Sequence, residues 1–135
     1  MGAPRFRLRI DFDGNASLGP GKIALLEAIA ASGSLSEAAR RMKMSYRRAW
    51  LLVEEINQAF AERATLSAVG GAGGGGMDVT AFGRGLMSRF RAFERSVTAL
   101  GTQRFATIAA AVSERKLASR VRAARPLNRI SARQR

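Results

Sequence analysis

The stretch SGSLSEAARRMKMSYRRAWLLVEEINQAF, Ser32–Phe60, constrains the fold of this chain more than any other. It reads as a short helix, a tight turn and a longer helix. Ser36 is the expected N-cap of the first, with Glu37 in the first turn near the positive end of the helix dipole. Leu35, Ala38, Ala39 and Met42 fall on its inner face, and the two alanines allow a second helix to cross closely. Lys43 and Met44 form the turn, with Met44 plugging the core. Ser45 is the expected cap of the second helix. There Ala49, Leu52, Val53, Ile56 and Phe60 recur at helical spacing and demand burial. The start of that helix then presents Ser45, Tyr46, Arg47 and Arg48 away from the core. Glu54 and Glu55 lie further along and would be repelled by phosphate, so only the first two turns suit a DNA groove. This is the layout of a helix-turn-helix, whose second helix enters the major groove by its first turns. A plain helical hairpin is the competing reading.

The residues at that helix start suit DNA for distinct reasons. Arginine can read guanine through its O6 and N7, or grip a phosphate without reading sequence. The sequence does not separate Arg47 from Arg48 in these roles. Tyr46 suits a phosphate or a thymine methyl. Trp50 is either a partial core residue under the preceding helix, the commoner fate of a lone tryptophan, or a side chain lying beside the DNA. Ser34, Ser36 and Lys43, on the first helix and the turn, are expected to add contacts to the nucleic acid.

Beyond Phe60, Thr65–Val69 and Met77–Thr80 read as short strands bracketing the run GGAGGGG. A ribbon of this kind beside a helix-turn-helix suggests a wing. Gly71, Gly73, Gly74, Gly75 and Gly76 permit positive φ and a backbone without side-chain bulk, so the loop can lie against phosphates and donate amide N–H groups. The competing reading is a flexible linker. The run also satisfies G-x-G-x-x-G, but a dinucleotide site needs a helix opening at the loop, and here the strand-like MDVT follows. A P-loop is excluded by the missing Gly-Lys-Ser/Thr.

The flanking segments supply the rest of a domain. Phe6, Leu8, Ile10 and Phe12 alternate with Arg5, Arg7, Arg9 and Asp11, which predicts a strand with one buried face. Asp13-Gly14-Asn15 ends it as a turn. Ile23, Leu25, Leu26, Ile29 and Ala30 predict a helix with a wide apolar stripe, stopped at Gly33. Thr80 is the expected cap of a long helix from about Ala81. Its Leu86, Phe90, Phe93, Val97 and Leu100 recur at heptad spacing and predict a dimer interface. Gly101-Thr102 reads as a break, followed by an amphipathic helix on Phe105, Ile108, Ala109 and Val112. The expected division is a DNA-binding domain over residues 1–100 and a helical, then arginine-rich, tail over 101–135.

Charge narrows the partner. The 135 residues carry 23 Lys+Arg against 10 Asp+Glu, a net of +13. Such a surplus favours a polyanion, through release of counterions from phosphates. It is uneven: residues 1–60 hold nine basic and six acidic groups, residues 61–135 fourteen and four. The excess at Arg120–Arg135 reads as a solvated arm rather than a reading head. No apolar run approaches a membrane span, and Phe6 stands where a myristoylation signal needs Ser or Thr. With no Cys and no His, thiolate metal sites and the commonest general base are absent. No catalytic constellation, metal site or cofactor site is expected. Glu27, Glu37, Glu54, Glu55, Glu62 and Glu94 read as solvated ion-pair partners. The start, MGAPRFRLRIDFD, has no apolar signal core, so secretion is not expected and a cytoplasmic, nucleoid-associated protein is.

These pieces carry a family resemblance. LGPGKIALLEAIAASGSLSEAARRMKMSYRRAWLLVEEIN, then GGAGGGG, then VTAFGRGLMSRFRAFE resemble the N-terminal, LysR-like DNA-binding domain of ModE-type molybdenum-responsive transcriptional regulators of bacteria, over Leu18–Glu94. The resemblance implies a mainly α fold with small β elements: a winged helix-turn-helix with a long C-terminal dimerisation helix. It implies a homodimer on double-stranded DNA, joined through the first and last helices of the domain. It puts Ser45, Tyr46, Arg47 and Arg48 on the recognition helix and Gly70–Gly76 in the wing. Two features depart from the family. TLSAV stands where a Val-Glu pair is usual before the glycines. The molybdate-binding domains have no counterpart here, although Ile130–Arg135 looks like the opening of one, so molybdate binding is not expected within this chain. The resulting expectation is a sequence-specific regulator of molybdenum-related genes, dimeric on a palindromic site. The alternatives are an architectural binder using the arginine tail without sequence preference, and an accessory partner of a full-length regulator.

Overall fold

The computed structural model describes residues 3–68, 76–112 and 120–124. Arg5–Ala99 forms one compact unit, and the described residues outside it belong to a second. In the first unit, β1 (Ile10–Asp11) pairs antiparallel with β2 (Ser17–Leu18) across a 3₁₀ turn at Asp13–Asn15. Then follow α1 (Pro20–Ser32), α2 (Leu35–Arg41) and α3 (Tyr46–Ala59). The antiparallel ribbon β3 (Thr65–Ala68) and β4 (Gly76–Val79) leads into α4 (Ala81–Arg104). The architecture is mainly α with two small sheets, a winged helix-turn-helix with a long helix after the wing.

The N-terminal strand is shorter than its alternation predicts. Phe6, Leu8 and Ile10 are half-buried and Arg5, Arg7 and Arg9 exposed, as period 2 requires, yet only Ile10 and Asp11 pair with another strand. Phe12 departs from the pattern. It is 43% exposed, with its ring edge-on to Phe60 at 5.6 Å. The turn supplies the reason: Gly14 and Asn15 take φ of 74° and 65°, which ends the extended run just after Phe12.

α1 is the hub. Leu25 and Ile29 enter one apolar cluster with Leu35, Ala38, Ala39, Ala49, Val53 and Val79. Ile23 and Leu26 enter another with Leu18, Ile56, Ala64 and Phe90. Because neighbours surround it, its apolar residues occupy more than the single stripe expected. Gly33 closes it in the left-handed conformation (φ 69°), its N–H donating to the Ile29 carbonyl at 2.7 Å. That cap also seats the ribbon, since Met77 N–H donates to the Gly33 carbonyl at 2.9 Å and Gly76 bridges Ser34.

Two polar devices join the ribbon to the helices. Asn57 is 7% exposed; its Oδ1 accepts from the N–H groups of Ala64 and Thr65 at 2.8 and 3.2 Å, and its Nδ2 donates to Thr65 Oγ1 at 3.0 Å. Thr80 caps α4 as expected. Its Oγ1 accepts from Gly83 N–H at 3.0 Å and donates to the Arg63 carbonyl at 2.7 Å. The ribbon therefore ends at Val79, not at Thr80. Gly83 has no room for a Cβ, which would collide with the Ala64 carbonyl oxygen and meet Val79 Cγ1 at 2.7 Å. This close approach accounts physically for the Phe82-Gly83 pair of the sequence.

The predicted break at Gly101-Thr102 is absent. α4 runs on to Arg104, and Gly101 stays within its hydrogen-bonding, its carbonyl accepting from Phe105 N–H at 2.9 Å. A glycine in a helix costs only about 1 kcal/mol, which the long run of helix before it offsets, so α4 ends three residues later, at Arg104. In the second unit the expected amphipathic helix appears as α5 (Ala106–Ala110), with no buried residue; Ile108 is 63% exposed. Residues 120–124 are helical and exposed. Most of the arginine-rich segment Arg120–Arg135 lies outside the described residues. Among the described residues, no helix is long and apolar enough to cross a membrane and no acidic cluster could hold a metal ion.

Candidate nucleic-acid interface

α2 and α3 are set at a fixed crossing by a tight turn. Lys43 takes φ of 55°, its N–H donates to the Arg40 carbonyl at 3.1 Å, and Met44 N–H donates to the Ala39 carbonyl at 3.0 Å. A non-glycine residue in this conformation is uncommon and fixes the reversal. Met44 then packs against the core cluster containing Ala38, Ala39 and Ala49, all 3% exposed or less. Close crossing over alanines is what the sequence predicts.

The cap of α2 is Ser34, not Ser36. Ser34 Oγ accepts from Glu37 N–H at 3.2 Å, and Ser36 sits exposed inside the helix. The helix starts two residues earlier than the Ser36 assignment implies, because Leu35 is 2% exposed and must already lie on the buried face. Ser45 caps α3 as expected, its Oγ accepting from Arg48 N–H at 3.1 Å.

α3 is sharply two-sided. Ala49, Val53 and Ile56 are buried, and Leu52 and Phe60 pack beside them. The other side carries Tyr46, Arg47, Arg48, Trp50 and Leu51, all exposed. Among the described residues no carboxylate pairs with Arg47 or Arg48, whereas Arg40 and Arg41 pair with Glu37 at 3.2 and 3.5 Å. Two cations on the first turn of α3 are thus left for an outside anion.

Trp50 is a correction. At 46% exposure it is not core, and neither is Leu51, at 45%. Leu51 lies one helical turn beyond Arg47 and was not predicted. The signal was present, since Leu51 falls off the buried spacing of Ala49, Leu52, Val53 and Ile56. Exposed large apolar groups beside unpaired cations are informative where scattered ones are not.

Gly76, at the base of the ribbon, is half-buried and pairs with Ala68; a Cβ there would meet Ala68 Cβ at 3.0 Å. Gly71, Gly73, Gly74 and Gly75 lie outside the described residues. On β3, Leu66 projects outward at 53% exposure.

The heptad positions of α4 do not form one exposed seam. Phe90 is 2% exposed and Leu86 packs beside it, both in the cluster that contains Leu26 and Ile56. Phe93 and Leu100 are each 51% exposed, and Val97 is half-buried. Heptad spacing on a helix that caps its own domain serves that core first. What remains is a mainly apolar groove of about 260 Å³ lined by Ile10, Phe12, Leu18, Leu86, Phe90 and Phe93, with Arg89 the one charged residue among them. α4 is locked to α1 by ions. Arg91 Nη2 meets Glu27 Oε1 at 2.6 Å and Nη1 meets Glu94 Oε1 at 2.9 Å, with Glu27 first among the groups that raise the arginine's affinity for its proton. The acids read as ion-pair partners thus include Glu27, Glu37, Glu55 and Glu94.

No family model matches the chain. It is 36% identical over 96 residues to the molybdenum transport protein ModE of Azotobacter vinelandii, which covers 70% of this chain and 36% of that protein. It is 39% identical over 85 residues to the molybdenum-pterin-binding protein MopB of Rhodobacter capsulatus, covering 63% and 32%. It is also 39% identical over 71 residues to the DNA-binding transcriptional dual regulator ModE of Escherichia coli, covering 53% and 27%. The chain spans about a third of the length of the curated relatives it matches.

Proposed function

We propose, from the premise that this chain is a ModE-type sequence matching a fragment of those regulators, that it binds duplex DNA and regulates transcription of molybdenum-related genes. The observation that carries the reading is the first turn of α3, exposed, rigidly capped and bearing two arginines without acidic partners. Arg47 and Arg48 supply bidentate contacts to guanine or grip phosphate. Tyr46 and Leu51 suit thymine methyls, and Trp50 lies beside the backbone. Ser36 and Lys43 border this surface, while Ser34 spends its hydroxyl oxygen on the α2 cap. The β3–β4 ribbon serves as the wing.

The reading includes a homodimer on a palindromic site, with two α3 helices about one DNA turn apart. The apolar groove at Phe93 and Phe12 supports it, because a second copy would cover surface that is otherwise wet. Sedimentation of the chain at several concentrations reports the dimer directly. For the DNA surface, Arg47→Ala or Arg48→Ala should cost about 1–3 kcal/mol on a selected duplex, measured by anisotropy titration. Parental affinity in both single variants would remove α3 from the interface.

A further inference from the structure

We infer that the groove flanking the start of α3 is a second phosphate-gripping surface, in which Arg9, on the extended segment before β1, holds the DNA backbone beside the base-reading turn, with Arg48 at the edge of that turn as its neighbour in the groove. This rests on the reading of α3 as the groove-entering helix, and it assigns a role to a hairpin that the helix-turn-helix and wing leave without one. The groove has a volume of about 350 Å³, and Arg9, Ser17, Lys22, Met44, Arg48 and Leu52 line it. Three cationic side chains thus line one concavity, two of them with a carboxylate partner of their own.

The three are not equivalent. The Lys22 side chain is 14% exposed and held in place, donating to the Ser17 carbonyl at 3.1 Å and Ser17 Oγ at 3.2 Å and pairing with Glu55 at 3.2 Å. Its charge is met by Glu55, so it orders this side of the groove rather than offering a free cation. Arg9 is the movable member. Its side chain is 71% exposed and meets Asp11, itself 66% exposed, at 2.7 Å. So exposed a pair is worth at most about 1 kcal/mol, so a phosphate can displace the carboxylate. Arg48 has no carboxylate partner among the described residues. Met44 and Leu52 give the arginine stems an apolar wall to lie on. Arg7 and Arg5 are exposed at alternate positions of the segment that precedes β1, adding further cations on that side.

The test is anisotropy of the full chain on a duplex selected from a random pool and on a scrambled duplex, across a salt series. Arg9→Ala should lower the slope of log affinity against log salt by about 0.9, the value of one lost phosphate contact, on both duplexes alike. The ratio between the duplexes should stay at the parental value, and Arg9→Lys should restore the slope. An unchanged slope in Arg9→Ala, while Arg47→Ala lowers the ratio, overturns the inference and leaves the α3 reading standing. A ratio unmoved by Arg47→Ala overturns the α3 reading and this inference with it. Arg9 is exposed, so circular dichroism should show the parental fold in both Arg9 variants.

Discussion

α1 and α3 are of nearly equal length, 13 and 14 residues, and they do opposite work. α1 gives Ile23, Leu25, Leu26 and Ile29 to two separate clusters, and its exposed positions, Gly21 and Ala31, carry no large apolar group and no charge. α3 gives one face to the same core and keeps the other, with Tyr46, Arg47, Trp50 and Leu51, in solvent. One helix holds the fold together; the other is held by it and spends its free face elsewhere. A helix whose large apolar side chains all serve its own core is explained by folding, and a helix with large exposed apolar groups beside unpaired cations is not.

Substitution should break this contrast first at α1. Ile29→Ala removes a fully buried side chain and should cost about 2–5 kcal/mol in urea unfolding. Leu51→Ala on the exposed face of α3 should stay within about 0.5 kcal/mol of the parent. Equal losses at the two positions would abolish the distinction.

A smaller effect sharpens it at the inner side of α3. Asn57→Ala would strip the N–H groups of Ala64 and Thr65 of their acceptor and should cost about 1–3 kcal/mol. Hydrogen exchange should then quicken at Ala64 and Thr65 before it does in α1. Protection retained at both amides would show that Asn57 is not what pins the ribbon to α3.

The smallest effect concerns how α3 begins. Ser45→Ala removes the acceptor of Arg48 N–H and should cost about 1 kcal/mol of stability. The loss should exceed that of Ser36→Ala, because Ser36 caps nothing. The reverse order would restore Ser36 as the cap of α2.

The same comparison explains how much of the molecule could be read from its residues. α2 and α3 were legible because each has one wet face, and a wet face leaves a periodic mark; the ribbon was legible from the glycine run its strands bracket, since their burial does not alternate. The two-sidedness of α3 and the cap at Ser45 follow from that mark. α1 was legible as a helix but not as a hub, since a helix enclosed by neighbours loses its period. Heptad spacing at Leu86, Phe90, Phe93, Val97 and Leu100 does not tell a seam shared with a second chain from one folded onto its own core. The structure divides it, with Phe90 inside and Phe93 outside. Gly101 failed as a break because a long helix absorbs one glycine. Asn57, Thr65 and the Arg91–Glu27 pair left no mark at all. Each depends on residues brought together by the fold, with Arg91 and Glu27 lying 64 positions apart.

The central claim is that the free face of α3 reads base sequence rather than merely gripping phosphate. Anisotropy of the full chain on a selected palindromic duplex and on its scrambled counterpart, at rising salt, tests it most directly. A base-reading α3 gives a preference of roughly 10³-fold or more for the selected duplex, persisting as salt rises. A ratio near one, with steep loss of binding to both duplexes as salt rises, would contradict it.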